Sequence, residues 1–209
     1  MIYDRMTRVL HLGIALGGVL QLLSATVMVH PKPGRAGDAI YAMHEAGGQV
    51  LLAILIIHWL WCLLRRGEVP FVALWPWFAP SCYPGLLADA RLYFGHALHG
   101  KLPDIQGFSP LVVAVQGIGL LLATLLGISG VLLSLATGDG AAMVGWLHDV
   151  KEGHEVLGGL MWAYLLLHAG MAMLHHWAGH DTLRMMLRIW QKPAPAAQDQ
   201  HNHTTLTGS

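Results

Sequence analysis

The sequence predicts an all-α integral membrane protein, a bundle of four helices that cross the bilayer. Three observations carry that prediction. The apolar set makes up 55% of the 209 residues, and Asp, Glu, Lys and Arg together only 11%, against roughly 25% charged in a soluble domain. Four long apolar stretches run through the chain, and none of them contains a formally charged residue. Lipid enforces that purge, because charge is costly in hydrocarbon. The formal charges also cancel, 12 basic against 12 acidic. No basic excess exists to hold phosphates, which excludes nucleic acid as a partner. A disordered chain is excluded by the same apolar content.

The stretches are Val9–Val29, Ala46–Leu64, Pro110–Ala136 and Val156–Ala172 with its flanks. A spanning helix needs about 20 mostly apolar residues at about 1.5 Å rise each. The predicted spans are therefore about 9–30, 43–64, 110–136 and 154–177, within one domain of residues 1–190. Arg5 and Arg8 precede the first stretch, as in a secretion signal. That stretch is long for the apolar part of a signal, and His11 sits at its start.

Between the second and third spans lies the longest connection, about 65–109. Its first half, PFVALWPWFAPSCYP, carries too many prolines for a regular helix. Its second half has apolar residues at helical spacing over Leu86–Leu98, which predicts a helix on the membrane surface. Residues 191–209 are polar without a period and read as a disordered tail.

Basic residues orient the bundle. Arg5, Arg8, Arg65, Arg66, Arg91, Lys101, Arg184, Arg188 and Lys192 fall on one side, nine in all, and Lys32, Arg35 and Lys151 on the other. The positive-inside rule places both termini in the cytoplasm. Trp59, Trp61, Trp75, Trp77 and Trp177 mark the cytoplasmic interface, and Trp146 the opposite one. Cys62 and Cys82 lie on the reducing side and read as free thiols; no C-x-x-C motif occurs for zinc or covalent haem attachment.

Histidine, at 14 residues, outnumbers either sign of charge. His44-Glu45-Ala46-Gly47-Gly48 is followed by His58, and His154-Glu155-Val156-Leu157-Gly158-Gly159 by His168. Each second histidine comes fourteen residues after the first. At ~100° per residue that is about 40° short of four turns, so the two imidazoles share a helix face about 21 Å apart. That distance covers most of a hydrocarbon core of about 30 Å. The neighbouring glycines carry no side chain and leave the backbone open to a bulky planar group. Haem iron accepts imidazole, and two axial histidines leave it no open position, which suits electron transfer. The competing reading is that each histidine merely hydrogen-bonds a neighbouring helix. His44 and His154 both open their spans on the non-cytoplasmic side and match in depth. On the cytoplasmic side, His11 and His58 both match His168, and spacing does not choose between them.

The chain resembles the bacterial cytochrome b561 and Ni-hydrogenase cytochrome b superfamily, which includes formate dehydrogenase cytochrome b subunits. The resemblance rests on Arg8-Val9-Leu10-His11, Met43-His44-Glu45 and Gly153-His154-Glu155-Val156-Leu157. It is most specific at Leu167-His168-Ala169-Gly170, Leu174-His175-His176-Trp177 and Thr182-Leu183-Arg184-Met185-Met186. It covers about residues 5–190 and implies a four-helix bundle with two b haems, each taking one ligand from the last helix. It implies the pairs His44 with His154 on the periplasmic side and His11 with His168 on the cytoplasmic side. Two positions depart from the pattern. His58 stands where relatives usually carry Arg, which makes it an alternative ligand or a quinone-site residue. The third span has no histidine, and Gln116 occupies that region.

The remaining histidines read as surface or tail residues. His175, His176, His180 and Asp181 lie close enough for a metal site, but a hydrated helix end explains them as well. His96 and His99 fall on the surface helix, His30 and His148 near the periplasmic surface, and His201 and His203 in the tail. Arg5, Arg8, Arg65, Arg66 and Arg91 have the chemistry to pair with haem propionates, or serve only to orient the chain.

The resulting expectation is transmembrane electron transfer in the bacterial inner membrane. Electrons would pass through two haems between a redox partner (a periplasmic dehydrogenase, hydrogenase or cytochrome c subunit) and the quinone pool. One alternative is a stand-alone superoxide:quinone oxidoreductase, which needs a positive field on the periplasmic face, where only Lys32, Arg35 and Lys151 are available. The other is a transporter without haem that uses histidine for protons or metal.

Overall fold

In a computed structural model, described here over residues 4–32, 34–64, 75–103, 109–137, 145–180, 183 and 186, every long element is helical. The helices are α1 (Arg5–Val27), α2 (Ala39–Leu64), α3 (Tyr83–Leu98), α4 (Pro110–Thr137) and α5 (Trp146–Trp177). All but α3 are long and apolar enough to cross a membrane. The predicted tail and Arg65, Arg66, Asp181, Arg184, Arg188 and Lys192 lie outside the described residues.

Short polar caps set the helix ends. Asp4 caps α1, accepting from the Thr7 amide at 2.8 Å and the Thr7 hydroxyl at 2.7 Å. The Trp61 indole donates to that same hydroxyl at 3.2 Å, which ties the start of α1 to the end of α2. Asp38 does the same capping work for α2, accepting from the Tyr41 amide at 2.8 Å. Between α1 and α2, Lys32 and Arg35 exchange backbone hydrogen bonds around Gly34, whose φ of 73° suits a residue without a Cβ.

The proline-rich segment forms two single 3-10 turns, Pro76–Phe78 and Pro80–Cys82, before α3 begins. Asp89 then docks α3 on α4. Its carboxylate accepts from the Ser109 hydroxyl at 2.7 Å and from the Leu111 amide at 3.2 Å, in the first turn of α4. Pro110 at the start of α4 has no amide to satisfy. At the end of α5, His180 donates its amide to the His175 carbonyl and Gly179 to that of His176, with Gly179 at φ 88°. Those two hydrogen bonds around a left-handed glycine stop the helix.

α5 is longer than its apolar stretch. Its first two turns, Trp146–Gly153, carry Asp149, Lys151 and Glu152, so the helix continues beyond the hydrocarbon on the side of Trp146. Composition alone marks only the apolar part, whereas backbone hydrogen bonding carries on into water.

In the bundle α1 packs on α2, α2 on α4, and α4 on α5. Glycines let these helices approach: a Cβ at Gly17 would stand 2.9 Å from Leu51, and one at Gly127 2.9 Å from Leu52. Outward faces carry large exposed apolar residues such as Leu16, Leu20, Leu63 and Leu135, which water would not tolerate in such numbers. Among the long helices α5 packs closely on α4 and stands off from α1 and α2. Histidine side chains from all three helices meet across that separation.

Candidate functional site

His44 of α2 faces His154 of α5 with ring centroids 6.5 Å apart, nearly perpendicular at 82°. His11 of α1 faces His168 of α5 at 6.3 Å and 49°. The structure thus brings together both pairs that the resemblance implied, at two depths along α5. His58 sits half-buried on α2, fourteen residues after His44.

The separations test whether a haem fits. An imidazole nitrogen binds a metal at about 2.0–2.1 Å and lies about 1.2 Å from its ring centre, so two axial imidazoles on one iron have centroids about 6.4 Å apart. Both pairs match this. A directly hydrogen-bonded pair stands closer, and the same molecule supplies the comparison. His175 and His180 share an Nδ1···Nδ1 hydrogen bond of 2.8 Å, with centroids 5.1 Å apart. The four facing histidines are therefore set wider than hydrogen bonding between imidazoles requires, at the spacing of a shared metal.

Each pair is held differently. His44 Nδ1 is 2.9 Å from the Ser24 hydroxyl of α1, and His154 Nδ1 is 2.8 Å from the Ser129 hydroxyl of α4. Engaging Nδ1 leaves Nε2 of both rings for a metal. Gly130 makes room here, since a Cβ at this position would stand 3.3 Å from the His154 ring. At the other pair Tyr164, one turn before His168, stacks on its imidazole at 5.4 Å and 14°. The phenol ring fits because Gly119 of α4 has no side chain.

The glycines beside the His44–His154 pair differ from the expectation. Gly47 and Gly48 do not leave an open face. The Gln21 side chain of α1 occupies it, with Nε2 2.5 Å from where a Gly47 Cβ would lie and Oε1 3.4 Å from that of Gly48. These two glycines admit a neighbouring helix's side chain. Gly158 and Gly159 of α5 have nothing within 4 Å of a built Cβ and stay open to a planar group.

Other predicted residues fall outside these pairs. His96 and His99 bond through Nδ1 to the carbonyls of Leu92 and Gly95 in their own helix. His148 lies 3.6 Å from Glu152, and His30 packs on Tyr41. The Tyr93 ring packs against His175. Burial first, and then the Asp89 carboxylate, push the Tyr93 phenol above its ordinary range. Among the described residues, no group of three or more His, Cys, Asp or Glu gathers to hold a metal ion. Arg8 lies one turn before His11 and is half-buried, whereas Arg5 and Arg91 are exposed.

Ser24, Ser129, Tyr164 and Gln21 escaped the sequence reading. Tyr164 was within reach of it, because residues four apart share a helix face. The serines were not, because their partners lie 20 and 25 residues away on other helices.

Helices that cross a membrane, with facing histidine pairs at the spacing of a shared iron, define a transmembrane b-type cytochrome. The chain belongs to the prokaryotic cytochrome b561 family, whose model matches residues 2–188. Membership implies a multi-pass bacterial membrane protein that binds haem b and transfers electrons across the membrane. No curated protein and no solved structure matches the chain.

Proposed function

We propose that the protein carries electrons between a redox partner and the quinone pool through two bis-histidine b haems in the bacterial inner membrane. His44 and His154 hold the periplasmic haem, and His11 and His168 the cytoplasmic one. The observation that supports this is the pair of centroid separations, 6.5 and 6.3 Å. When bound, a six-coordinate haem supplies a one-electron centre with no open position for oxygen.

The chain supplies the rest. α5 presents one imidazole to each site about 21 Å apart along its axis, which fixes the interval an electron must cross. Ser24, Ser129 and Tyr164 hold the ring planes. The apolar faces of the long helices exclude water and keep the dielectric low, a lever on potential. Arg8, one turn before His11, has the chemistry to pair with a propionate of a haem held there. Both termini lie in the cytoplasm, a reading that the nine-to-three split of basic residues supports.

The superoxide reading is weaker. Lys151 pairs with Glu155 one turn along α5, which lowers the free positive charge on the periplasmic face. A reduced-minus-oxidised spectrum of the purified protein tests the proposal, with b-type bands expected. A colourless protein would instead support a histidine-based transporter. Stopped-flow mixing with superoxide, beside co-purification of a partner subunit, separates the two electron-transfer readings.

A further inference from the structure

We propose that Ser24 and Ser129 fix the tautomer of His44 and His154 and thereby lower the midpoint potential of the haem between them. This rests on the ligand assignment above. A serine hydroxyl has one proton and two lone pairs. Ser24 already donates its proton to the Gln21 carbonyl at 2.9 Å, and Ser129 donates to the Leu125 carbonyl at 2.7 Å. Each hydroxyl can then only accept from the imidazole beside it. The proton therefore sits on Nδ1 of both histidines, and Nε2 keeps its lone pair for iron.

Tautomer has an electronic consequence. An Nδ1–H that donates a hydrogen bond leaves more electron density on the ring and makes Nε2 a stronger donor. A stronger donor stabilises ferric over ferrous iron, so the potential falls. The serines come from α1 and α4, so all four long helices contribute to the properties of this one haem. At the His11/His168 pair the described support is the stacked Tyr164 ring, which does not accept a proton from Nδ1.

Potentiometric titration of the visible spectrum tests this, together with low-spin haem resonance. H44A and H154A first show which reduction step belongs to this haem. If neither removes one of two haems, the ligand assignment fails, whatever the serines do. If they do, S24A/S129A should move that one step to higher potential. The expected shift is on the order of a tenfold fall in the oxidised-to-reduced ratio at fixed ambient potential, about 59 mV for one electron. The other step should stay in place. S24A and S129A should each move the step part of the way. S24T and S129T, which keep the hydroxyl, should restore the wild-type value. Should the alanine variants fail to assemble, S24C and S129C keep the volume with a weaker acceptor and should show the same upward shift. An unmoved step with both haems present, or an equal shift of both steps, would overturn the inference.

Discussion

Replacing Gly119 by alanine puts a methyl group where Tyr164 already stands. The added Cβ would lie 2.2 Å from the Tyr164 Cζ and Oη and 2.5 Å from Cε1. Ordinary contact begins near 3.4 Å, so the ring must retreat by about 1.2 Å in a packed interior that resists such shifts. Two terms oppose each other. Alanine in a helix is better than glycine by about 1 kcal/mol. Overpacking costs about 1–3 kcal/mol, and disturbing the Tyr164–His168 stack about 0.5–1.5 kcal/mol more. The clash wins, and a net loss of about 0.5–3.5 kcal/mol is expected. It should act on one haem, because Tyr164 touches His168 and not His154. Haem content by pyridine haemochrome and thermal melting in detergent read the effect. G119A should melt earlier and lose part of one haem. Adding Y164A should cost less than the sum of the single changes, since the clash disappears with the ring. G119A protein with two full haems and a melting temperature at or above wild type would refute the reasoning.

H11A should lose the cytoplasmic haem while H58A keeps both, by the same haem assay; the reverse result would move that ligand to α2. A reporter active only outside the cytoplasm should stay silent when fused after residue 190 and work when inserted at Gly34. Activity in both positions would overturn the orientation. D89A removes the acceptor that docks α3 on α4 and should cost about 1.5–3 kcal/mol by thermal melting. The D89N variant should also bring the Tyr93 phenol partway down towards its ordinary range in an absorbance titration. The descent is partial because burial, the larger cause, remains.

The sequence disclosed what depends on composition and on spacing within one helix. Charge-free apolar runs mark spans because lipid excludes charge anywhere along them. Fourteen-residue histidine spacing is legible because one helix fixes both positions. Features built between helices were not legible. Ser24 and His44 meet only when α1 folds against α2, and no local pattern announces it. Gly47 and Gly48 show the same limit. A glycine signals that something comes close, but only the tertiary structure shows that it is Gln21. Likewise, that the His11 ring faces His168 is a contact between helices that no spacing within one helix announces.

The central claim is that α5 gives one ligand to each of two haems. Counting haems per chain by pyridine haemochrome in wild type, H154A, H168A and H154A/H168A tests it most directly. The expected counts are two, one, one and none, with the two single variants retaining different reduction steps. One haem in the wild type, or two retained after either single change, would contradict the account.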